Sequence, residues 1–252
     1  MSDIDTDNIF RSFEGNTFVF KCHKDISCFN KCCSKLKLIL TPYDILRIKN
    51  QLDITSDIFL DKYSHSEIER GNRFPTVKLK MSDNPEKTCP FVTELGCRIY
   101  ENRPGACRLY PLGRASAIVE GVKNAKEKFF IVKESHCLGF QEKKTWDINQ
   151  WLEHEGLEEY YIINDMWQEI ISSSKNLGKE ALTKKIQMFF MVSYNLDVFR
   201  KFVFESRFFD RFVVEPKLKE RMFADDKELL KFGLLWLKFV LFGEKTVKIK
   251  VQ

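Results

Sequence analysis

Eight cysteines are the residues best suited to do chemistry: Cys22, Cys28, Cys32, Cys33, Cys89, Cys97, Cys107 and Cys137. All lie in the first 137 residues, and the 115 that follow contain none. Thiols that merely fill a core as small hydrophobes would not segregate in this way. A disulfide framework needs an oxidising compartment. The N-terminus, Met1-Ser2-Asp3-Ile4-Asp5-Thr6-Asp7, has neither the basic nor the apolar region of a secretory leader. A reducing, cytoplasmic location is therefore expected, and clustered thiols there are more often metal ligands or catalysts than bridges. Thiolates are soft and anionic, and four of them satisfy a tetrahedral zinc or a [4Fe–4S] cluster. Eight are enough for two all-sulfur sites; one site with spare structural thiols is the alternative.

Spacing narrows the chemistry without naming the metal. Cys28 and Cys32 are four apart, so one helical turn would put them on the same face. Cys32 and Cys33 are adjacent, and in extended chain they point to opposite sides, as ligands of different metals would. The Cys-x-x-Cys knuckles of zinc ribbons and thiol redox motifs are missing. So is the closely spaced ferredoxin run. Irregular ligand spacing on loops favours a [4Fe–4S] cluster over zinc. Arg98, Arg103, Arg108 and Arg114 fall near Cys97 and Cys107. The first three are the candidates to surround the cofactor, offsetting thiolate charge and donating N–H to sulfur; a solvated basic loop is the plain alternative. His23 and His136 each neighbour a cysteine and could replace a thiolate, against a surface or supporting role. No residue is singled out as catalytic.

The elements that must position these groups divide the chain by pattern. Phe10, Phe13, Phe18, Val19 and Phe20 around Glu14-Gly15-Asn16 suggest a turn or hairpin leading into Cys22. Cys22 to Ser34 reads as a loop or a single helical turn. Thr41-Pro42-Tyr43-Asp44 opens a helix with Thr41 as N-cap and Pro42 at its first position. A second helix starts at Thr55 or Ser56 and runs through Tyr63. Thr76 to Met81 alternates as a strand, and Ala117–Val122 with Phe129–Val132 read as a hairpin. Between them, residues 88–114 are rich in Cys, Pro, Gly and Arg, the composition of a site-bearing loop. From Trp146 the period turns helical: 147–173, 179–209 with a possible break, and 217–242 after Pro216.

At this point the residues carry a family pattern. Cys28-Phe29-Asn30-Lys31-Cys32-Cys33 followed by Leu40-Thr41-Pro42-Tyr43-Asp44 resembles the opening motif of the YkgJ-like cysteine-cluster proteins. Cys89-Pro90-Phe91, Gly96-Cys97-Arg98-Ile99-Tyr100, Arg103-Pro104 and Cys107-Arg108-Leu109-Tyr110-Pro111 match that family's later string. His136-Cys137-Leu138-Gly139-Phe140 resembles the Cys-x-Gly-Phe element of its longer members. The likeness spans about residues 18–140 and implies zinc or iron chelation by the cysteines. The family's first motif is usually written C-x-x-C-x-x-C-C; here the gaps are five and three residues, which leaves Cys22 the cysteine least tied to the pattern. Related cysteine-cluster proteins include flagellin lysine N-methylases, which use S-adenosylmethionine.

The fold expected is α+β and mostly helical. A loop-rich cysteine-cluster domain with a small antiparallel sheet (residues 1–140) precedes a Phe-rich helical region (141–252) packed on it. The expected function is metal binding through cysteine thiolates. One alternative is a methyltransferase-like enzyme, in which Asp165, Trp167 and Tyr194 would line a pocket, although no Gly-rich phosphate-type turn follows a strand. The other is a metal-stabilised protein whose Phe-rich half docks a protein partner. Composition sets the limits. With 44% hydrophobic and 31% charged residues the chain is an ordinary globular one. Its net charge of +5 is too small to argue for nucleic acid, and Arg200, Lys201, Phe202, Arg207, Phe208, Arg211 and Phe212 read as an amphipathic helix face. The longest apolar run, Phe232 to Phe242, is short and interrupted by Lys238, so no membrane span is expected.

Overall fold

The computed structural model describes residues 9–12, 15–117, 126–178 and 181–250. Ten α-helices and several small antiparallel sheets stand among them, a mostly helical α+β fold. The chain forms two compact units, Met1–Leu36 with Met81–Tyr160, and Lys37–Lys80 with Tyr161–Gln252. The single boundary expected at residue 140 falls inside the first of these.

The second unit takes in β3 (Ile39–Leu40), α1 (Pro42–Gln51), α2 (Ser56–Tyr63), β4 (Ser64–Glu67) and β5 (Thr76–Leu79). It continues with α6 (Leu182–Tyr194), α7 (Leu196–Glu205), α8 (Phe208–Arg211), β11 (Phe212–Val213), α9 (Pro216–Ala224), α10 (Asp226–Phe242) and β12 (Lys248–Ile249). Residues 37–80 join the C-terminal helices because α1 buries Ile45, Leu46 and Ile48 and packs against α6 and α10. The expected cap of α1 is present in full. The Asp44 amide donates to Thr41 Oγ1 at 3.3 Å and the Thr41 amide to Asp44 Oδ2 at 2.8 Å, with Pro42 at the first position.

Helix α10 is the centre of this unit, burying Leu229, Leu230, Phe232, Leu234, Trp236, Leu237 and Leu241. Gly233 lets neighbouring side chains close on it: a Cβ there would meet Val192 at 2.7 Å and Phe199 at 2.8 Å. Phe199, Phe208 and Trp236 are buried together, so much of the Phe surplus is core. Trp167 and Tyr194 are core as well, and the Tyr194 hydroxyl donates to the Pro75 carbonyl.

The continuous helix expected over 217–242 is two. Asp225 ends α9 and caps α10, accepting from the Lys227 amide at 2.8 Å. Asn195 likewise separates α6 from α7 by accepting from the Val198 amide.

The first unit holds β1 (Phe10–Arg11), β2 (Thr17–Val19), β6 (Val92–Thr93), β7 (Gly96–Cys97), α3 (Gly105–Leu109), β8 (Leu112–Ala117), β9 (Lys126–Val132), β10 (Thr145–Asp147) and α4 (Ile148–His154). Helix α5 (Glu158–Ile171) carries the chain out of it. The helix expected over 147–173 breaks between α4 and α5, where Gly156 takes φ +61. Strands β8 and β9 pair antiparallel from Leu112↔Ile131 to Ala117↔Lys126. The expected strand Ala117–Val122 starts at the end of β8 and otherwise lies outside the described residues. The hairpin expected before Cys22 does not form: β1 pairs with β9 and β2 with β10. Phe18, Phe20 and Trp151 are buried at the centre of this unit, and Trp151 Nε1 donates to the Leu109 carbonyl at 3.0 Å.

Candidate metal centre

All eight cysteines belong to the first unit. Cys22 follows β2 on irregular backbone and is exposed, whereas Cys28 is buried and the other six are half-buried. Cys28 sits in a turn where Phe29 N–H donates to the Ile26 carbonyl at 2.8 Å and Lys31 N–H to the Cys28 carbonyl at 3.0 Å. Asn30 adopts φ 67, a left-handed conformation that Asn tolerates, and starts a 3-10 turn over Lys31–Cys33. That turn presents Cys32 and Cys33. The Cys89 amide then donates to the Cys33 carbonyl at 2.7 Å, joining two loops far apart in sequence.

The hairpin of β6 and β7 pairs Val92 with Cys97. Asn30 Nδ2 donates to the Thr93 carbonyl at 3.0 Å and anchors this hairpin to the first loop. Gly96 has to be glycine: its φ is +114, and a Cβ would meet the Phe29 ring at 3.2 Å. Cys107 lies on α3, and the Cys137 amide donates to the Glu134 carbonyl at 3.0 Å.

The electrostatic effects of the thiols on one another link them in sets. Cys32 and Cys33 are joined by a side-chain hydrogen bond, which lowers Cys32 and raises Cys33. Cys33 also feels burial and the charges of Cys89 and Cys107. Burial pushes Cys89 up, and Cys97 adds to it. Burial pushes Cys97 up too, with a further contribution from Cys32, opposed by the Ile99 amide and by Arg103 and Arg98. On the other side, burial raises Cys137, with further contributions from Cys28 and Cys32. Cys22 is pushed up to about 11, by burial of its thiol and then by Cys32, Cys28 and Cys137. Thiols raised in this way hold their protons, and a metal that bound them would have to displace those protons.

Backbone amides are aimed at the sulfurs. Cys89, Cys97 and Cys137 each accept from the amide two residues on, those of Phe91, Ile99 and Gly139. Cys28 Sγ accepts from the Leu138 amide at 3.3 Å. Such N–H···S bonds stabilise thiolate and orient it as a ligand. The donor set therefore fits a soft thiophilic metal or cluster. Among the described residues, however, no three Cys, His, Asp or Glu side chains form a group that holds an ion as they stand. The thiols are neighbours, not a closed cage.

The three arginines separate in role. The charges of Arg98 and Arg103 act on Cys97, and that of Arg98 also on Cys89. Arg103 is buried, ion-paired with the buried Glu155, and donates to the Tyr100 carbonyl at 2.6 Å. Arg108 is turned to backbone, donating to the carbonyls of Glu155 and Glu101. His23 lies against Asp25 and Glu142, and His136 against Glu134. Two groups not anticipated from sequence border the thiols. Glu134 acts on Cys32, and the Tyr110 phenol, a buried hydroxyl, is raised by burial first and then by the neighbouring Cys137. The Tyr in the Cys-Arg-x-Tyr-Pro string was the available signal for Tyr110; Glu155 lay beyond the expected domain boundary.

Residues 21–138 match the CxxCxxCC family, whose description reads "Putative zinc- or iron-chelating domain". Over this segment the chain is similar to that family, in agreement with the YkgJ-like resemblance of its motifs. No curated protein and no solved structure matches the chain. No helix among the described residues is long and apolar enough to cross a membrane.

Proposed function

We propose that this protein is a two-centre thiolate metal protein. Cys22, Cys28, Cys32 and Cys137 form one quartet, and Cys33, Cys89, Cys97 and Cys107 the other, with the adjacent Cys32 and Cys33 as the seam between them. The observation that carries this reading is the pattern of neighbours. Cys22 is acted on by Cys32, Cys28 and Cys137, while Cys33 is acted on by Cys89 and Cys107 and Cys89 by Cys97; Cys32, at the seam, acts on Cys33 and Cys97 as well. Amides directed at sulfur in both groups support ligation in each. A [4Fe–4S] cluster is preferred to zinc because the ligands come from irregular loops with backbone N–H donors to sulfur, a setting that suits a cluster. Arg98 and Arg103 belong to the second centre, where guanidinium charge offsets thiolate charge.

The test is the protein purified without oxygen. Metal and acid-labile sulfide analysis with a visible spectrum should give two clusters per chain. A colourless protein carrying zinc and no labile sulfide would replace the clusters with zinc. A chain binding one centre or none would overturn the two-centre reading.

A further inference from the structure

Phe223, 69% exposed, is the most exposed aromatic side chain among the described residues. It stands in the last turn of α9, its ring 5.4 Å from that of Phe204 on α7. Phe204 lies 5.6 Å from Phe209 on α8, and both are half-buried. Three helices of the second unit thus build one aromatic ridge, unlike the single apolar residues scattered over an ordinary surface. The ridge is fixed in place. Arg200 donates to the carbonyls of Met222 and Phe223 at 3.1 and 2.8 Å, closing the end of α9.

Cations border the ridge. The Lys219 ammonium lies 4.2 Å from the centre of the Phe209 ring. Helix α9 carries Lys217, Lys219 and Arg221 against Glu220 alone. Lys201, Lys217 and Lys219 are exposed and make no ion pair among the described residues. Residues 200–250 hold thirteen Lys and Arg against eight Asp and Glu, so the chain's entire surplus of +5 arises there.

We propose that this ridge is a peripheral docking site for an anionic lipid surface. Phe223 enters the interface and the surrounding lysines meet the headgroups. Geometry favours lipid over other anionic partners. A side chain as exposed as Phe223 projects from the surface, whereas peptides are taken up in a groove or along an open strand edge. The rings of Phe204 and Phe209 are inclined at 59° and those of Phe204 and Phe223 at 77°, so they offer no flat platform for stacked bases. A projecting aromatic ring among lysines, whose apolar stems lie along the ridge while the ammonium groups reach outward, has the form of an interfacial anchor. Charge complementarity selects anionic over neutral headgroups.

The experiment sediments the full chain with phosphatidylcholine vesicles, with and without phosphatidylserine. The chain should bind the anionic vesicles and not the neutral ones, and high salt should release it. Phe223→Ser should weaken binding about tenfold, the loss of one partly inserted ring. Lys217→Gln with Lys219→Gln should weaken it about twentyfold, two charges near the headgroups. The altered side chains are exposed, so thermal unfolding of both variants should stay close to that of wild type. Equal binding to neutral vesicles, binding to neither, or anionic binding that both variants retain would overturn the proposal. Binding of poly-glutamate or a single-stranded oligonucleotide, lost in both variants while vesicles are ignored, would overturn it in favour of an acidic protein or a nucleic acid.

Discussion

The Leu138 amide donates to Cys28 Sγ at 3.3 Å, across a sequence separation of 110 residues. The next amide, that of Gly139, donates to Cys137. One short turn thus serves two thiols from opposite ends of the cysteine segment. The turn is held from outside: the Lys21 amide donates to the Gly139 carbonyl at 3.1 Å, and a Cβ at 139 would meet the Phe20 ring at 2.6 Å and the Lys21 carbonyl at 3.0 Å. The core and the proposed ligand geometry are therefore one construction at this point.

Gly139→Ala tests that link. Phe20 is buried, with its ring within 5.8 Å of the rings of Tyr110 and Trp151 and 5.3 Å of that of Phe140, so it has little room to yield. The variant should lose about 1–3 kcal/mol of stability, the usual result of overpacking a filled core. It should also bind less metal than wild type, because the turn that moves carries both amide donors. Urea midpoints with metal counting check both; an unchanged metal content would show that the turn does not hold the centre.

Removing the metal should act on one unit. Loop-rich segments whose ligands repel one another depend on bound metal for folding free energy. Hydrogen exchange after chelation should speed up in residues 22–36 and 89–111. It should stay slow in α6, α7 and α10, which are held by buried Phe, Leu and Trp side chains. Equal protection of the cysteine loops before and after chelation would argue that the fold precedes the metal.

Local signals were legible where one short segment determines the outcome. The Thr41-Pro42-Asp44 cap and strand β5 could be read directly, because capping chemistry and alternation are written in adjacent residues. The cysteine inventory was legible for the same reason, and the likeness of residues 28–46 and 89–113 to a chelating family agrees with the match over 21–138. What could not be read depends on partners far along the chain. Residues 37–80 join the C-terminal helices through the buried face of α1, and periodicity gives a face without naming what covers it. Arg103 seeks Glu155 rather than sulfur alone because burial demands a full countercharge, and Glu155 is 52 residues away. The break at Asn195 falls in the run where an interruption was expected; that at Asp225 was available as an N-cap residue type, yet apolar runs on both sides masked it.

Lys49 should be indispensable to the second unit. Its ammonium, on a side chain with 7% exposure, lies 2.9 Å from Asp226 and 3.4 Å from Asp197. Asp197 also accepts from the amide and hydroxyl of Ser56 at 2.7 and 2.6 Å, and Asp226 pairs with Arg200 at 2.6 Å. The network ties α1 and α2 to α7 and α10. Lys49→Met leaves two carboxylates in contact with the core and without their shared cation. The cost should be about 2–4 kcal/mol, somewhat below that of a fully buried broken pair because the carboxylates are partly solvated. Denaturant unfolding followed by hydrogen exchange in α10 measures it, and a loss below about 1 kcal/mol, the range of a surface pair, would refute the assignment.

The same network sets an acid limit. Burial alone would raise Asp197 and Asp226, but the hydrogen bonds of Ser56 to Asp197 and of Arg200 and Lys49 to Asp226, with the charge of Lys49, hold both below the ordinary aspartate range. Their native state binds fewer protons than the unfolded chain as pH falls, so stability decreases in that direction. The contribution is complete above the unfolded aspartate value of about 4 and is lost as pH falls through the depressed native values. Protection of α10 should therefore be flat between about pH 7 and 5 and decline below about pH 4. Asp197→Asn with Asp226→Asn should lower stability at neutral pH and flatten the acid decline. A decline in wild type already present between about pH 6 and 5, where histidine titrates, would assign the acid sensitivity to other groups.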